Sequence, residues 1–256
     1  MNTKNSGNIQ DQIKEVAELI RNSKYIIAFT GAGISVESGI PPFRGPGGLW
    51  ESYDPGLFEI SYFLSHPKES WNLIKQLFFQ LFNIVKPNIA HKILAKLEEK
   101  YNLKAIITQN IDNLHQEAGS KRVIQFHGNS NYVVCTKCSK RKSIKELNFD
   151  EIPPKCDFCN GLLKPDFVFF GEPIPQDAYI DSMFEALEAD LSILVGTTGV
   201  VMPAALIPYY AKENGAKIIE INPNKSQFTN EIVDIFIQLK AGEAFSQIAK
   251  ELNLEI

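Results

Sequence analysis

The four cysteines of the chain stand as two pairs, Cys135-Thr136-Lys137-Cys138 and Cys156-Asp157-Phe158-Cys159, with 17 residues between them. Two such knuckles set four thiolates around one Zn²⁺. Four protein ligands leave no open position, so the metal serves structure and not catalysis. A single Cys-x-x-Cys would suggest redox chemistry; here the second pair accounts for the first. Lys137, Lys140, Arg141, Lys142 and Lys155 stand close by. They either offset the negative charge of a tetrathiolate site or form a solvated face.

A second group lies near the start. Gly31-Ala32-Gly33-Ile34-Ser35 follows the apolar run Tyr25-Ile26-Ile27-Ala28-Phe29. A hydrophobic strand that ends in Gly-x-Gly and turns into a helix builds a pyrophosphate cradle, with free N–H groups at the helix start. The dinucleotide fingerprint of dehydrogenases would place a third glycine at position 36, which is Val36, and an acid at the end of a second strand. Glu51 and Asp54 have roughly that spacing but sit in a loop-like stretch. Phe43 and Arg44 fall in the Pro- and Gly-rich stretch 41–48, a loop able to close over a bound molecule.

Gln109, Asn110 and Asp112 follow an apolar strand, at the end where α/β sheets bind ligands. On their own, Asn110 and Asp112 also suit a turn and a helix cap. His127 ends another strand and precedes Gly128. An imidazole there can act as a general base near neutral pH. Of the other histidines, His66 and His91 lie in helical contexts, and His115 reads as a packing or hydrogen-bonding residue.

The elements that must position these residues follow from periodicity. Ile13, Val16, Ala17, Leu19 and Ile20 predict an amphipathic helix over 9–22. Short runs, most of them β-branched and continuously apolar, predict strands near 25–29, 104–108, 122–126, 191–195, 217–221 and 234–239, as expected for parallel strands covered on both faces. Helical patterns at 111–118, 176–189, 203–213 and 242–253 lie between them. Alternation of this kind predicts an α/β fold, a doubly wound, mostly parallel Rossmann-like sheet. Two stretches interrupt it. Residues 48–103 read as a helical module, and 130–162 as a zinc ribbon, together an inserted small domain. The sheet domain then comprises 1–47, 104–129 and 163–256.

With 256 residues and 44% hydrophobic side chains, the chain can bury a large core. A net charge of −4 argues against a general nucleic-acid binder. No run of 18 apolar residues predicts a membrane span, and the polar start lacks a signal-peptide core, so a cytoplasmic location is the expectation. The first ten residues read as loosely held. The oligomeric state is left open, with a monomer sufficient.

Taken together, the motifs resemble those of the sirtuins, the NAD-dependent protein lysine deacylases. The resemblance runs from about Tyr25 to Gly242. It rests on Gly31 through Ser35, Ser38-Gly39-Ile40-Pro41, Phe43-Arg44-Gly45, Thr108-Gln109-Asn110-Ile111-Asp112, Leu114-His115, and His127-Gly128. To these it adds the four cysteines, Val168-Phe169-Phe170-Gly171-Glu172, Gly196-Thr197-Thr198 and Ile221-Asn222.

The resemblance implies that NAD is consumed rather than reduced. Its acyl acceptor is ADP-ribose, and nicotinamide and O-acyl-ADP-ribose are released. It implies His127 as the base and Asn110 as the residue that positions a water and the ribose. It implies cofactor contacts from Gly31, Ala32, Gly33, Phe43, Arg44, Gln109, Asn110, Ile111, Asp112, Gly196, Thr197, Thr198, Asn222, Pro223, Asn224 and Ala241. Val168, Phe169, Phe170 and Gly171 would pair with an acyl-lysine peptide as an added strand.

Three departures stand out. Pro42 replaces the usual Asp, Thr198 the usual Ser, and Met202 the usual Tyr. Sirtuins that take acidic acyl groups carry a Tyr-x-x-Arg pair where this chain has Ile74 and Leu77, so apolar acyl groups are expected; Phe78 and Phe79 either line their channel or form plain helix core. ADP-ribose transfer to protein or plain NAD hydrolysis on the same scaffold is the competing reading. A non-enzymatic zinc-containing module is a third, and it leaves His127 and the Gly31 loop without a role.

Overall fold

The computed structural model describes residues 8–82 and 84–255. Of the ten residues expected to be loosely held, 1–7 lie outside the described residues. Asn8 instead caps helix α1 (Ile9–Asn22), its side chain accepting the Gln10 N–H at 3.3 Å.

Six parallel strands form the main sheet: β1 (Ile26–Thr30), β2 (Leu103–Thr108), β3 (Val123–Gln125), β7 (Leu191–Val195), β8 (Lys217–Ile221) and β9 (Ile235–Ile237). Their order, β3-β2-β1-β7-β8-β9, is doubly wound around β1, which pairs in parallel with both β2 and β7. The order reverses there, and such switch points open a ligand crevice at the carboxyl ends of the strands. Along β1 the side chains alternate between two cores. Ile26 and Ala28 join the core on one face, with apolar residues of α1, α6 (Ile89–Lys100) and α10 (Ala241–Leu252). Ile27 and Phe29 join the other, where α8 (Gln176–Glu188) and α9 (Leu206–Glu213) pack. A strand covered on both faces has no polar side to show, which is why the sequence reads as an unbroken apolar run.

Segments inserted in the sequence between strands of this sheet form a smaller lobe. It holds α2 (Leu49–Ser52), α3 (Ile60–Ser65), α4 (Pro67–Ile74), a wide helical turn over Lys75–Phe79 and α5 (Gln80–Phe82). It also holds the three-stranded sheet β5-β4-β6, made of Arg141–Ser143, Gly128–Cys135 and Leu163–Phe167. The two parts share one aromatic core, where Phe63, Trp71 and Phe78 meet Val133, Phe167 and the buried Cys135 and Cys156. The Trp71 indole N–H donates to the Leu163 carbonyl at 2.8 Å and locks the helices to the ribbon.

Two of the expected boundaries move. Helix α6 was expected in the helical module, but its Ala90, Ile93, Leu94 and Leu97 are buried in the main core. The sheet domain was expected to resume at 163; the chain there forms strand β6, which pairs antiparallel with β4 in the smaller sheet. Amphipathic periodicity says that a face is buried and not against which core. The expected helix 111–118 is also shorter. Asn113 adopts a left-handed conformation (φ 64°), so α7 spans only Leu114–Glu117. The expected helix over 203–213 begins at Leu206.

Candidate active site

A cavity of about 640 Å³ opens between the two lobes at the carboxyl ends of β1, β2 and β7. Gly31, Ala32 and Gly33 line it, as do Phe43, Arg44, Gln109, Asn110, Ile111 and His127. So do Val168 through Gly171, Gly196 through Thr198, Asn222 through Asn224, and Ala241. One sequence-predicted contact stands apart. Asp112 borders a small adjoining cavity of about 20 Å³, behind Asn110 and Ile111.

The glycine loop works differently from the sequence expectation. A 3₁₀ helix over Ala32–Ser38 follows β1. The Gly31 N–H donates to Val195 O (3.0 Å) and the Gly33 N–H to Gly196 O (2.8 Å), so neither is free to meet an anion. What the glycines supply is proximity. A Cβ on Gly33 would sit 2.6 Å from the Gly196 Cα, and Gly196 itself has φ +60°. Removing the side chains lets the β1 and β7 turns touch and forms the cavity floor.

Polar side chains brace that floor. The Asn110 amide donates to Gly31 O (3.1 Å) and Ser35 Oγ (3.3 Å). Ser35 Oγ donates to Asp112 Oδ2 at 2.7 Å, while Asp112 Oδ1 accepts the Leu114 N–H at 3.0 Å. Asp112 therefore holds the first N–H of the short helix over Leu114–Glu117 and anchors the glycine loop at once. Burial pushes its carboxyl above the ordinary aspartate value, against the pull of those donors. Behind it lie His91 and His115, both buried. Burial lowers His91 to about 4 and takes His115 well below the ordinary value, so both are neutral packing residues. His115 sits 2.9 Å from the Thr30 hydroxyl, which agrees with its structural reading.

His127 has a defined tautomer. Its Nδ1 lies 3.1 Å from the Gln109 carbonyl, which can only accept, so Nδ1 carries the proton and Nε2 keeps its lone pair. Burial lowers the imidazole pKa below 6.5, with the carbonyl pulling weakly the other way. The sign follows: the neutral, proton-accepting form persists at pH values where an exposed histidine has already charged. The acid limb of kcat/KM against pH is thus expected below 6.5. A limb at or above that value would show that another group sets the profile.

Gln109 also donates from Nε2 to Thr197 Oγ1 (3.1 Å), and Asn222 donates to Thr197 O (2.8 Å). Arg44 stands exposed at the rim. Phe43 packs on Trp50 and Phe78, with ring centroids 5.3 and 6.4 Å away.

In the segment 168–171, several backbone groups are already engaged. Val168 donates to His127 O (2.9 Å), and Phe170 exchanges both of its groups with Phe58 O and the Ile60 N–H, each at 3.0 Å. The Val168 carbonyl and both backbone groups of Gly171 are bonded to no described residue.

Trp50, Phe58, Val201 and Met202 also line the cavity and were not anticipated. Trp50 and Phe58 follow the Gly-rich loop closely, where bulky aromatics signal a wall. Phe78 borders the cavity as expected, but Phe79 packs inward on Trp71 and Phe149. Ile74 is buried in the small-lobe core, and Leu77 borders only the small cavity.

The four cysteine sulfurs lie within 4.8 Å of one another, with contacts of 3.5 Å (Cys135–Cys159) and 3.7 Å (Cys138–Cys156). Zn–S bonds of about 2.3 Å put tetrahedral sulfurs roughly 3.8 Å apart, so the set fits Zn²⁺. Gly161 makes room: a Cβ there would fall 2.8 Å from the Cys135 sulfur.

Among known proteins, a profile of the Sir2 family matches residues 31–203. NAD-dependent protein deacetylase 1 of Pyrobaculum aerophilum is 44% identical over 245 residues, covering 95% of this chain and 96% of the relative. An NAD-dependent protein deacylase of Thermococcus kodakarensis is 45% identical, covering 93% and 94%. Among solved structures, a Sir2 variant with a deacetylated p53 peptide and 3′-O-acetyl ADP ribose superimposes with a TM-score of 0.90. It is 39% identical and covers 95% of this chain and 99% of its own. A Sir2 complex with p53 peptide and NAD⁺ gives 0.87 at 39% identity, covering 93% and 98%.

Proposed function

This chain belongs to the Sir2 family, and we infer from that premise that it is an NAD-dependent protein lysine deacylase. It transfers the acyl group of an N-acyl-lysine to ADP-ribose, with release of nicotinamide. The observation that carries this reading is the shared cavity. It holds the glycine loop, an imidazole with a free Nε2, and a backbone segment with unengaged polar groups within one space.

The division of labour we propose is as follows. The floor made by Gly31, Ala32, Gly33 and Gly196, with Thr197, Thr198, Asn222, Pro223, Asn224 and Ala241, seats the dinucleotide. Phe43, Arg44, Gln109 and Ile111 complete the nicotinamide and ribose side, and Asp112 backs it from the small adjoining cavity. The acyl oxygen displaces nicotinamide from the ribose, and His127 Nε2 then accepts a proton from a ribose hydroxyl. Asn110 orients the ribose and a water. The aromatic wall excludes bulk water that would otherwise hydrolyse the activated sugar. The Val168 carbonyl and Gly171 offer the backbone partners for the substrate peptide. Zn²⁺ held by Cys135, Cys138, Cys156 and Cys159 orders the small lobe. The partners are acyl-lysine proteins, without nucleic acid. No described helix is long and apolar enough to cross a membrane. A reducing, cytoplasmic setting suits four thiolates on zinc.

The test is mass spectrometry of peptides incubated with enzyme and NAD, in an acetyl, butyryl, myristoyl and succinyl series. Deacylated peptide, nicotinamide and O-acyl-ADP-ribose are the expected products. NAD cleavage without deacylation would establish the transferase or hydrolase reading instead. Ile74 and Leu77 offer no cation to an acidic acyl chain, so desuccinylation is expected to run at least ~10-fold slower than deacetylation. Faster desuccinylation would overturn that assignment.

A further inference from the structure

The most heavily bonded charged pair in the small lobe lies outside the chemistry derived so far. The Lys164 ammonium, on β6, is 10% exposed and sits 2.9 Å from Glu172 Oε2. It also donates to the carbonyls of Pro165 (3.0 Å) and Phe167 (2.8 Å), and stands 4.8 Å from the centroid of the Phe169 ring. The same Glu172 oxygen accepts the Phe169 N–H at 2.9 Å, while the Glu172 N–H donates to Phe169 O at 3.0 Å. One side chain thus ties together both ends of the stretch 164–172.

A buried ion pair is a poor way to gain stability, because desolvation offsets most of the attraction. Apolar side chains would pack this aromatic lobe at less cost. What a charged, multiply bonded pair does supply is one fixed geometry. The stretch it closes contains the Val168 carbonyl and Gly171, whose φ of +84° must be held. Its other end is the ribbon: Lys164 is in register with Val134, and Leu163 with Cys135.

We propose that Lys164 and Glu172 are positioning residues for the peptide substrate, a bracket that sets the backbone of 168–171 for pairing and links it to the zinc ribbon. The proposal rests on the reading of 168–171 as the peptide-pairing segment.

The experiment measures KM for acetyl-peptide and for NAD separately, with kcat, in wild type, K164M, K164R and E172Q. K164M is expected to raise peptide KM about tenfold and to leave the NAD KM within about twofold, because only the peptide-pairing backbone shifts. K164R restores the charge and most of the peptide KM, and E172Q follows K164M. A pair that served stability alone would lower the folded fraction, and so apparent kcat, with both KM values unchanged. That result, or equal failure of K164R and K164M, overturns the bracket. If K164M does not fold, E172Q carries the same split. Peptides with a backbone ester beside the acyl-lysine test the premise. If the ester raises the wild-type KM and K164M does not, the bracket alone is wrong. If no ester raises it, the peptide-pairing reading falls and the bracket with it.

Discussion

Replacing His127 with alanine is expected to slow deacylation by roughly two to four orders of magnitude, the usual range for loss of a positioned general base. One hydrogen bond prepares the ring for this role. The Gln109 carbonyl takes the Nδ1 proton, so the ring is held in the tautomer that leaves Nε2 able to accept. Burial keeps it neutral, which a base requires. In the proposed sequence of steps the imidazole acts after nicotinamide has left, so exchange of labelled nicotinamide into NAD should persist in the variant while O-acyl-ADP-ribose disappears. Rapid-quench sampling of both reactions separates the steps. Equal loss of exchange and deacylation would mean that His127 acts earlier, in binding or in the first displacement.

Stripping the zinc is expected to abolish deacylation, more than about 100-fold, without melting the main sheet. Structural zinc in small domains contributes roughly 10–16 kcal/mol of apparent binding energy, and in such sites that energy is folding energy. Here Cys135 and Cys156 are members of the small-lobe core together with Trp71, Phe167 and Phe169. Loss of the metal leaves like-charged or protonated thiols crowded around Gly161, and the disorder reaches the segment next to Phe169. The two cores of the main sheet contain none of these residues. Chelation followed by circular dichroism, NAD titration and an activity assay should show retained sheet signal, retained NAD binding and lost turnover, with recovery on adding Zn²⁺. Cys135→Ala should behave in the same way without recovery. Full activity after complete metal removal would contradict this account.

Much of the architecture was legible because the signals were local. Apolar runs such as Ile26–Phe29 and Leu191–Val195, the second broken only by Ser192, state that a strand is covered on both faces, and a covered strand is what is found. Cysteine spacing named the metal site, since ligand geometry restricts it. The place of His127 at the cavity was legible from its strand end and its glycine. The misreadings share a cause, competition between partners that are distant in sequence. Helix α6 has an apolar face, and nothing in that face says which lobe buries it. The Gly31 and Gly33 N–H groups looked free until β7 supplied Val195 O and Gly196 O. Helix 111–118 lost a turn because Asp112 bonds to Ser35, 77 positions away, and Asn113 turns left-handed beside it.

The chain passes between the two lobes four times: near Gly48, before α6, between β3 and β4, and after β6. Two of these crossings are joined directly, because the Val168 N–H donates to His127 O. Four tethers forbid the lobes from drifting apart, so any breathing of the cleft must be a rotation about the line where the tethers cross. Displacement is least on an axis and grows with distance from it. His127 and Val168 tie two of the crossings together, close to where such a rotation would pivot, whereas Arg44 and the exposed Met202 border the open cleft. The mouth can therefore widen to admit a protein loop or release a spent nucleotide while the proposed base and the proposed peptide-pairing carbonyl keep their mutual register.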